Sequence, residues 1–280
     1  ILSSAQISAF DATELAAGIN LTYTRLSLLS SSTFSGLTTA QLDALSTAAL
    51  QTLTTTQIAG MTTQQAASLS DDKIVALTTA QVKGLTTAQI RALTTAQVAA
   101  LETADLAALN SVQLAAISTD AVAELTTAQV AALGTAQVQG LTTAQLNVLT
   151  SSQLAAFKAT SLAALTTQQI SKLESDSVAL LTTAQVAALT SSQAGALDSD
   201  QVAALTTAQI TALGTAQLAS IATAAIANLD TDQVAALKTN QIAALSTAQA
   251  SALGTDQIVS LTTAQVKALS STQLTALDSE

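Results

Sequence analysis

The sequence predicts an all-α solenoid of very short capped helices, one for each eight-residue repeat. From Leu21 to Ala276 the chain reads as 32 consecutive octads without insertion or deletion. Two more octads, starting at Leu2 and Phe10, precede a break in register at residues 18–20. Position one is large and apolar in all 34 octads, and position five is Gln in 24. Because only four residues are aromatic, a thin core built from stacked repeats fits the composition better than a wide globular core.

Each position of the octad has an expected structural role. Position three is Thr or Ser in 30 octads, which predicts the residue that caps the start of a helix. The next five positions and the following Leu then form about one and a half turns of mostly good helix formers. Position two admits Gly134, Asn110 and Asp198, a mixture typical of a left-handed residue that ends a helix. A helix this short is unstable alone, so stability is expected to come from stacking.

Two other architectures are incompatible with the repeat length. In one continuous helix, eight residues at about 100° each would let the Leu drift about 80° per octad, so no apolar face would persist. In one strand, positions one and six would face opposite sides. A β-solenoid with one corner in each octad remains as the alternative fold.

The N-terminal segment differs in composition and register from the rest of the chain. Residues 1–36 contain three of the four aromatic residues, Phe10, Tyr23 and Phe34, together with the register break. We expect this segment to be a modified N-terminal cap or a junction, and residues 37–280 to be the octapeptide-repeat solenoid. Since the sequence ends inside an octad, we also expect the chain to be a processed form or part of a longer protein.

Composition excludes several classes of function. The net charge of −10 argues against a nucleic-acid partner, and no apolar run approaches the length of a membrane span. Without His or Cys, the chain lacks the usual zinc ligands and the usual means of activating a nucleophile. It also lacks a phosphate-binding loop. We therefore expect no enzymatic activity and no cofactor.

Three sets of polar residues are candidate sites. The Gln row at position five is a possible sugar-binding array, although we favour amides that satisfy the backbone of neighbouring turns. Paired Thr residues at positions two and three suggest a flat ice-binding face only weakly, because position two varies. Acidic pairs also occur, and their calcium candidates are Asp198, Asp200, Asp230 and Asp232. Acidic residues beside a helix N-terminus are favoured without a metal, so we expect no metal site there.

The phrase Leu-Thr-Thr-Ala-Gln-Val-Ala-Ala at residues 181–188 resembles octapeptide tracts in very large exported proteins of Gram-negative bacteria, many of them adhesin-like. The resemblance covers nearly the whole chain from Leu21. It implies an extracellular or cell-surface structural element, such as an adhesin stalk, a sheath, a surface-layer piece or a filament subunit. Its expected partners are other copies of itself or further chain of the same protein. The alternative is a ligand- or carbohydrate-binding repeat module of an adhesin.

Overall fold

The computed structural model describes residues 30–277, which form short α-helices of four to seven residues, one in each octad. The chain divides into two compact units, Ile1–Leu149 and Thr150–Glu280. The first unit contains α1 Ser31–Ser35, α2 Thr39–Ala44, α3 Thr47–Gln51, α4 Thr55–Gly60, α5 Thr63–Ala67, α6 Asp71–Ala76, α7 Thr79–Gly84, α8 Thr87–Ala92, α9 Thr95–Ala100, α10 Thr103–Ala108, α11 Ser111–Ala116, α12 Thr119–Ala123, α13 Thr127–Ala132, α14 Thr135–Gly140 and α15 Thr143–Asn147.

The second unit continues the same alternation of short helix and corner. It contains α16 Ser151–Ala156, α17 Ala159–Leu162, α18 Thr167–Ser171, α19 Ser175–Ala179, α20 Thr183–Ala187, α21 Ser191–Ala194, α22 Ser199–Ala203, α23 Thr207–Ala212, α24 Thr215–Ser220, α25 Thr223–Ala227, α26 Thr231–Ala236, α27 Thr239–Ala243, α28 Thr247–Ser251, α29 Thr255–Ser260, α30 Thr263–Ala268 and α31 Ser271–Leu277. The predicted all-α solenoid is confirmed. The β-solenoid alternative is wrong, since residues 30–277 contain no strand.

The residue that caps each helix is at position two of the octad, and the prediction of position three is wrong by one residue. In α8, Thr86 is the N-cap with extended backbone, φ −74° and ψ 158°, and its hydroxyl accepts a hydrogen bond from the Gln89 N–H. Thr87 at position three is already the first helical residue. The Gly, Asn and Asp residues at position two are therefore N-caps, a role in which all three residue types are favoured.

The corner between octads also differs from the prediction. No cap residue given for these helices is left-handed; the position-two residue Gly134, for example, has φ −84° and ψ 179°. Instead, Leu93 at position one leaves α8 in an extended conformation, with φ −60° and ψ 141°. Its N–H donates to the Ile90 carbonyl at 3.2 Å. At this corner two successive extended residues, Leu93 and Thr94, make the turn, and any L-residue can adopt that backbone. In other octads the helix ends one residue earlier in a right-handed helical conformation, as α3 does at Thr52 with φ −80° and ψ −11°.

The core of each unit is formed by positions one and six. Val82 and Leu85, which are three residues apart on either side of the end of α7, are both buried. The same pair of positions is buried in octad after octad, with Ala66, Ala194 and Ala250 at position six where the side chain is smaller. Helices three apart in sequence make the most extensive contacts, as α11 does with α14 and α21 with α24. Each octad therefore buries its apolar pair against the previous turn of the coil.

Most of the predicted N-terminal segment lies outside the described residues, including Phe10, Tyr23 and the break at residues 18–20. Within the segment, Phe34 is described: it occupies position six of its octad and is fully buried. The extent of the proposed cap, residues 1–36, stays a prediction. The division after Leu149 was not predicted, because the octad register runs through it without a change.

Candidate functional site

The Gln at position five closes a capping box within its own octad. In α8 the backbone N–H of Thr86 donates to Gln89 Oε1 at 2.7 Å, while the Gln89 N–H donates to the Thr86 hydroxyl at 3.2 Å. Two otherwise unpaired N–H groups at the helix start are thereby satisfied reciprocally. The sequence signal for this arrangement is the Thr-x-x-Gln spacing from position two to position five, which the prediction of a cap at position three overlooked.

The other end of the same amide reaches the previous turn of the coil. Gln89 Nε2 donates to the carbonyl oxygen of Met61 at 2.7 Å and to that of Ile58 at 2.8 Å, 28 and 31 residues earlier. In the second unit, Gln201 makes the equivalent bonds to Leu173 and Ile170 at 2.7 and 2.9 Å. Because 28 residues are three and a half octads, this spacing sets the pitch of the coil at about 3.5 octads per turn. We call this repeated set of bonds the glutamine ladder.

The ladder accounts for the polar groups of the core. Gln89 and Gln201 are each only 1% exposed. No fully buried side-chain nitrogen or oxygen within residues 30–277 lacks a hydrogen-bond partner. Buried amides are costly unless they are paired, so Gln89 and Gln201 each stabilise their own helix start and fix the register between turns. Gln137 is an exception, since it closes no capping box and bonds only to the carbonyls of Ala107 and Leu109. The interpretation of the Gln row as structural is confirmed. Because both ends of amides such as those of Gln89 and Gln201 are engaged inside the protein, these amides are not free to bind a sugar.

From Leu37 onward, seven octads have another residue in place of the ladder Gln, namely Ala49, Lys73, Asp105, Ala121, Ser161, Ser177 and Ala225. Lys73 preserves the link in another form. Its ammonium donates to the backbone carbonyl of Asp43, 30 residues earlier, and forms a 2.7 Å ion pair with the Asp43 carboxylate. A cationic group therefore fits among the carbonyls to which a ladder Gln would donate.

The acidic residues predicted as calcium candidates are divided between two roles. Asp198 and Asp230 are N-caps, whose carboxylates accept from the N–H groups of Gln201 and Gln233 at 2.8 and 2.7 Å. Asp200 and Asp232 are exposed residues in the first turns of the same helices. The described residues contain no group of three or more His, Cys, Asp or Glu side chains placed to hold a metal ion. The helix start thus explains these aspartates.

Position three, which is almost always Thr or Ser, is mostly exposed and faces position eight of the next turn. A Cβ built on Gly84 would lie 3.1 Å from the Cβ of Thr55, and one on Gly140 would lie 2.5 Å from that of Ser111. Successive turns therefore touch through small residues at these two positions. Along the part of the chain that is described, no helix has both the length and the apolar character required to cross a bilayer.

Comparison with known proteins agrees with the repeat architecture. The sequence profile of the ALTTAQ repeat matches seven segments, residues 34–71, 71–103, 98–135, 131–159, 170–207, 207–239 and 226–263. Together they cover more than half of the chain, and each corresponds to about four octads. No curated protein matches the sequence significantly. The seven tandem matches over a helical, glutamine-laddered coil establish that the chain is a tandem-repeat protein that belongs to the ALTTAQ repeat family.

Proposed function

We propose that this chain is an extracellular or cell-surface structural element that acts through self-assembly, in which turns of one copy stack on turns of another. The observation that carries the proposal is the uniformity of the ladder. Every turn has a donor side, made by Gln amides, and an acceptor side, made by carbonyls at positions one and six. Such an interface is as suitable between two copies as within one. The proposal includes no catalytic step.

Two position-six side chains near the last described helices are exposed. Val266 is 43% exposed and Leu274 is 41% exposed, whereas position six is 0 to 1% exposed in most earlier octads. Further octads of the same repeat, whether of another copy or of the same protein, would cover these two side chains as octads cover position six elsewhere.

We propose a second copy as the occupant of the exposed surface around Val266 and Leu274, with further chain of the same protein as the other source of such octads. Octads of the same kind would supply Gln Nε2 donors and leucines for the exposed apolar side chains. A head-to-tail contact of this kind is not self-complementary, so it produces an open polymer unless the copies close into a ring. This geometry supports a filament, sheath or surface-layer subunit, or an adhesin stalk.

The cell-surface location is supported by composition and resemblance. The chain has no Cys, carries a net charge of −10 and resembles repeat tracts of exported bacterial proteins. Protease treatment of intact source cells tests this part of the proposal. We expect the protein to be cleaved while a cytosolic marker stays intact. Protection of the protein until the cells are lysed would contradict the proposed location.

Sedimentation velocity over a wide concentration range tests assembly. We expect the weight-average sedimentation coefficient of the wild-type protein to rise with concentration. Leu274→Asp should weaken this association by at least tenfold, because it places a charge in the apolar contact. Val259→Asp is the matched control, since Val259 is 78% exposed at position seven, outside the apolar pair of positions one and six. A wild-type protein that stays monomeric, or equal effects of the two variants, would refute the self-assembly proposal.

A further inference from the structure

We propose that the second unit carries two complementary charged surfaces through which copies of the chain associate side by side. One is a row of acidic residues on one side of the coil, and the other is a group of lysines that lies away from that row. Each surface binds the opposite surface of a second copy. This lateral contact is distinct from the contact around Val266 and Leu274, and it rests on the proposed function only in taking another copy as the partner.

The acidic residues of the second unit recur at the pitch of the coil. Residues 150–277 contain seven of them, all exposed and all at positions two and four of an octad, namely Glu174, Asp176, Asp198, Asp200, Asp230, Asp232 and Asp256. The four octads that contain them follow each other at intervals of three, four and three octads. Alternation of three and four is how whole octads follow a turn of about 3.5. Each turn therefore brings one acidic octad to the same side.

Ladder bonds join these four octads from one turn to the next. In each step, the Gln that follows an Asp donates to a carbonyl in the acidic octad of the previous turn: Gln201 to Leu173 at 2.7 Å, Gln233 to Ala203 at 3.0 Å and Gln257 to Leu229 at 2.6 Å. The acidic octads are therefore stacked directly on each other. We call their seven exposed side chains the acidic row.

Helix capping accounts for only part of the acidic row. Asp198 and Asp230 are caps, but the carboxylates at position four, Asp176, Asp200, Asp232 and Asp256, form no hydrogen bond or ion pair within residues 30–277. An acid in the first turn is favoured by the helix dipole in every octad alike. The dipole therefore does not explain why the unit has acids at this position only in the octads of one side.

Three of the four lysines between residues 150 and 277 lie away from the acidic row. Lys158 precedes Glu174 by 16 residues and Lys267 follows Asp256 by 11, where half a turn of the coil is 14 residues. Lys238 begins the octad that follows Asp230, beyond the next corner. The fourth, Lys172, is close in sequence to Glu174 and belongs to the side of the acidic row.

The three lysines form a surface of their own, which we call the lysine group. The Gln265 amide donates to the carbonyl of Leu237 at 2.7 Å, so the octads of Lys267 and Lys238 are on consecutive turns. Lys158, Lys238 and Lys267 are exposed, and none of them forms an ion pair in the described part of the chain. The charges of this unit are thus separated by side and not paired with each other.

A second copy is the partner that satisfies both surfaces. The acidic row and the lysine group face different sides of one coil, so they meet only between copies that lie beside each other. One exposed ion pair contributes little, but several complementary charges on a repeating surface set the orientation and speed of association. Ala, Thr and Ser form most of the remaining exposed surface, which lets two coils approach closely. A contact between two different surfaces adds further copies in the same way and builds a sheet.

Sedimentation velocity of the full chain tests the lateral contact, with Leu274→Asp as the parent variant so that the end contact does not contribute. We expect this parent to associate in about 20 mM sodium chloride and to dissociate in about 500 mM, because salt screens exposed charges. A parent that stays monomeric in low salt would overturn the proposal, whereas end-to-end assembly is judged separately in the chain with Leu274 intact.

Charge reversal separates complementarity from general repulsion. Asp232→Lys with Asp256→Lys makes the chain less negative overall, so general repulsion predicts stronger association. We expect association about tenfold weaker, because the acidic row loses its match. Lys238→Asp with Lys267→Asp should also weaken it. An equimolar mixture of the two double variants should associate as the parent does, since the reversed surfaces complement each other.

Lys83→Asp with Arg91→Asp is the matched control, because it changes the net charge as the lysine variant does, at exposed residues of the first unit. We expect it to leave association within about twofold of the parent. Equal weakening by this control would overturn the proposal, as would a mixture of the reversed variants that does not associate. Low-salt binding of polylysine to the acidic row by a parent that does not bind itself would overturn the assignment of a second copy.

Discussion

Replacing Gln81 by Glu isolates the bonds that join two turns of the coil. Gln81 Nε2 donates to the carbonyls of Leu50 and Leu53, both at 2.8 Å, while its Oε1 accepts from the Thr78 N–H at 2.9 Å. A glutamate keeps the acceptor and therefore the capping box. It replaces the donor by an oxygen that faces two carbonyl oxygens. The substitution thus breaks only the contact between turns.

The expected loss of stability follows from these contacts. Two hydrogen bonds contribute about 1 kcal/mol each, and burial of an unpaired charge adds a further penalty, so we expect a total loss of about 3–5 kcal/mol at pH 7. Burial beside carbonyl oxygens should raise the pKa of the introduced carboxyl above about 4.3, its value in the unfolded chain. The loss should therefore be smallest below that unfolded-state value and should grow as the pH rises through the folded-state pKa.

Urea unfolding followed by circular dichroism measures this loss. Gln64→Glu is the matched control, because Gln64 lies in the first turn of α5 but is exposed. An acid near a helix N-terminus is neutral or slightly favourable there, so we expect a change within about 0.5 kcal/mol. If Gln81→Glu and Gln64→Glu changed the free energy of unfolding equally, the ladder would not be an important source of stability.

Three further predictions concern register, close packing and metal. Deleting the whole octad 181–188 should lower the melting temperature far less than inserting one residue after Ala188. The insertion shifts every later residue relative to its hydrogen-bond partners in the ladder, whereas the deletion replaces one set of partners with equivalent residues of the neighbouring octad. Equal losses of melting temperature would argue against a strict solenoid. Gly140→Ala should destabilise the protein by about 1–2 kcal/mol more than Gly84→Ala in urea unfolding. Both glycines end a helix, but the added Cβ would lie 2.5 Å from Ser111 at Gly140 and 3.1 Å from Thr55 at Gly84. A larger loss for Gly84→Ala would contradict this packing. Millimolar calcium should leave the melting temperature of the wild-type protein nearly unchanged, and a large rise that disappears in Asp198→Asn would assign a calcium site to these caps.

The fold class could be predicted from the sequence because the eight-residue repeat is regular and its length excludes one continuous helix or one continuous strand. The cap residue was misplaced by one position because both candidates suit the role by residue type. Position three is Thr or Ser in 30 octads, and position two is Ser, Thr, Asp, Asn or Gly in 29. The frequency of capping residues therefore does not distinguish position two from position three. The sequence spacing to the Gln does distinguish them, because a capping box requires the Gln to lie three positions after the cap, as Gln89 does after Thr86.

The pitch of the coil could not be obtained from the repeat length. Every octad is equivalent, so stacking at three, four or more octads per turn would bury the same residues at positions one and six. The pitch depends on the backbone conformation of the corner residues and on the reach of the Gln side chain.

Disulfide cross-linking tests the pitch of about 3.5 octads per turn most directly, because the chain contains no cysteine of its own. A Cβ on Gly84 would lie 3.1 Å from that of Thr55, within a few tenths of an ångström of the roughly 3.5–4.5 Å that a disulfide requires. We expect Gly84→Cys to form a disulfide rapidly with Thr55→Cys, and slowly with Thr47→Cys or Thr63→Cys, which occupy the same position one octad away. Faster cross-linking of Gly84→Cys to Thr47→Cys or Thr63→Cys would contradict the 28-residue ladder and the fold built on it.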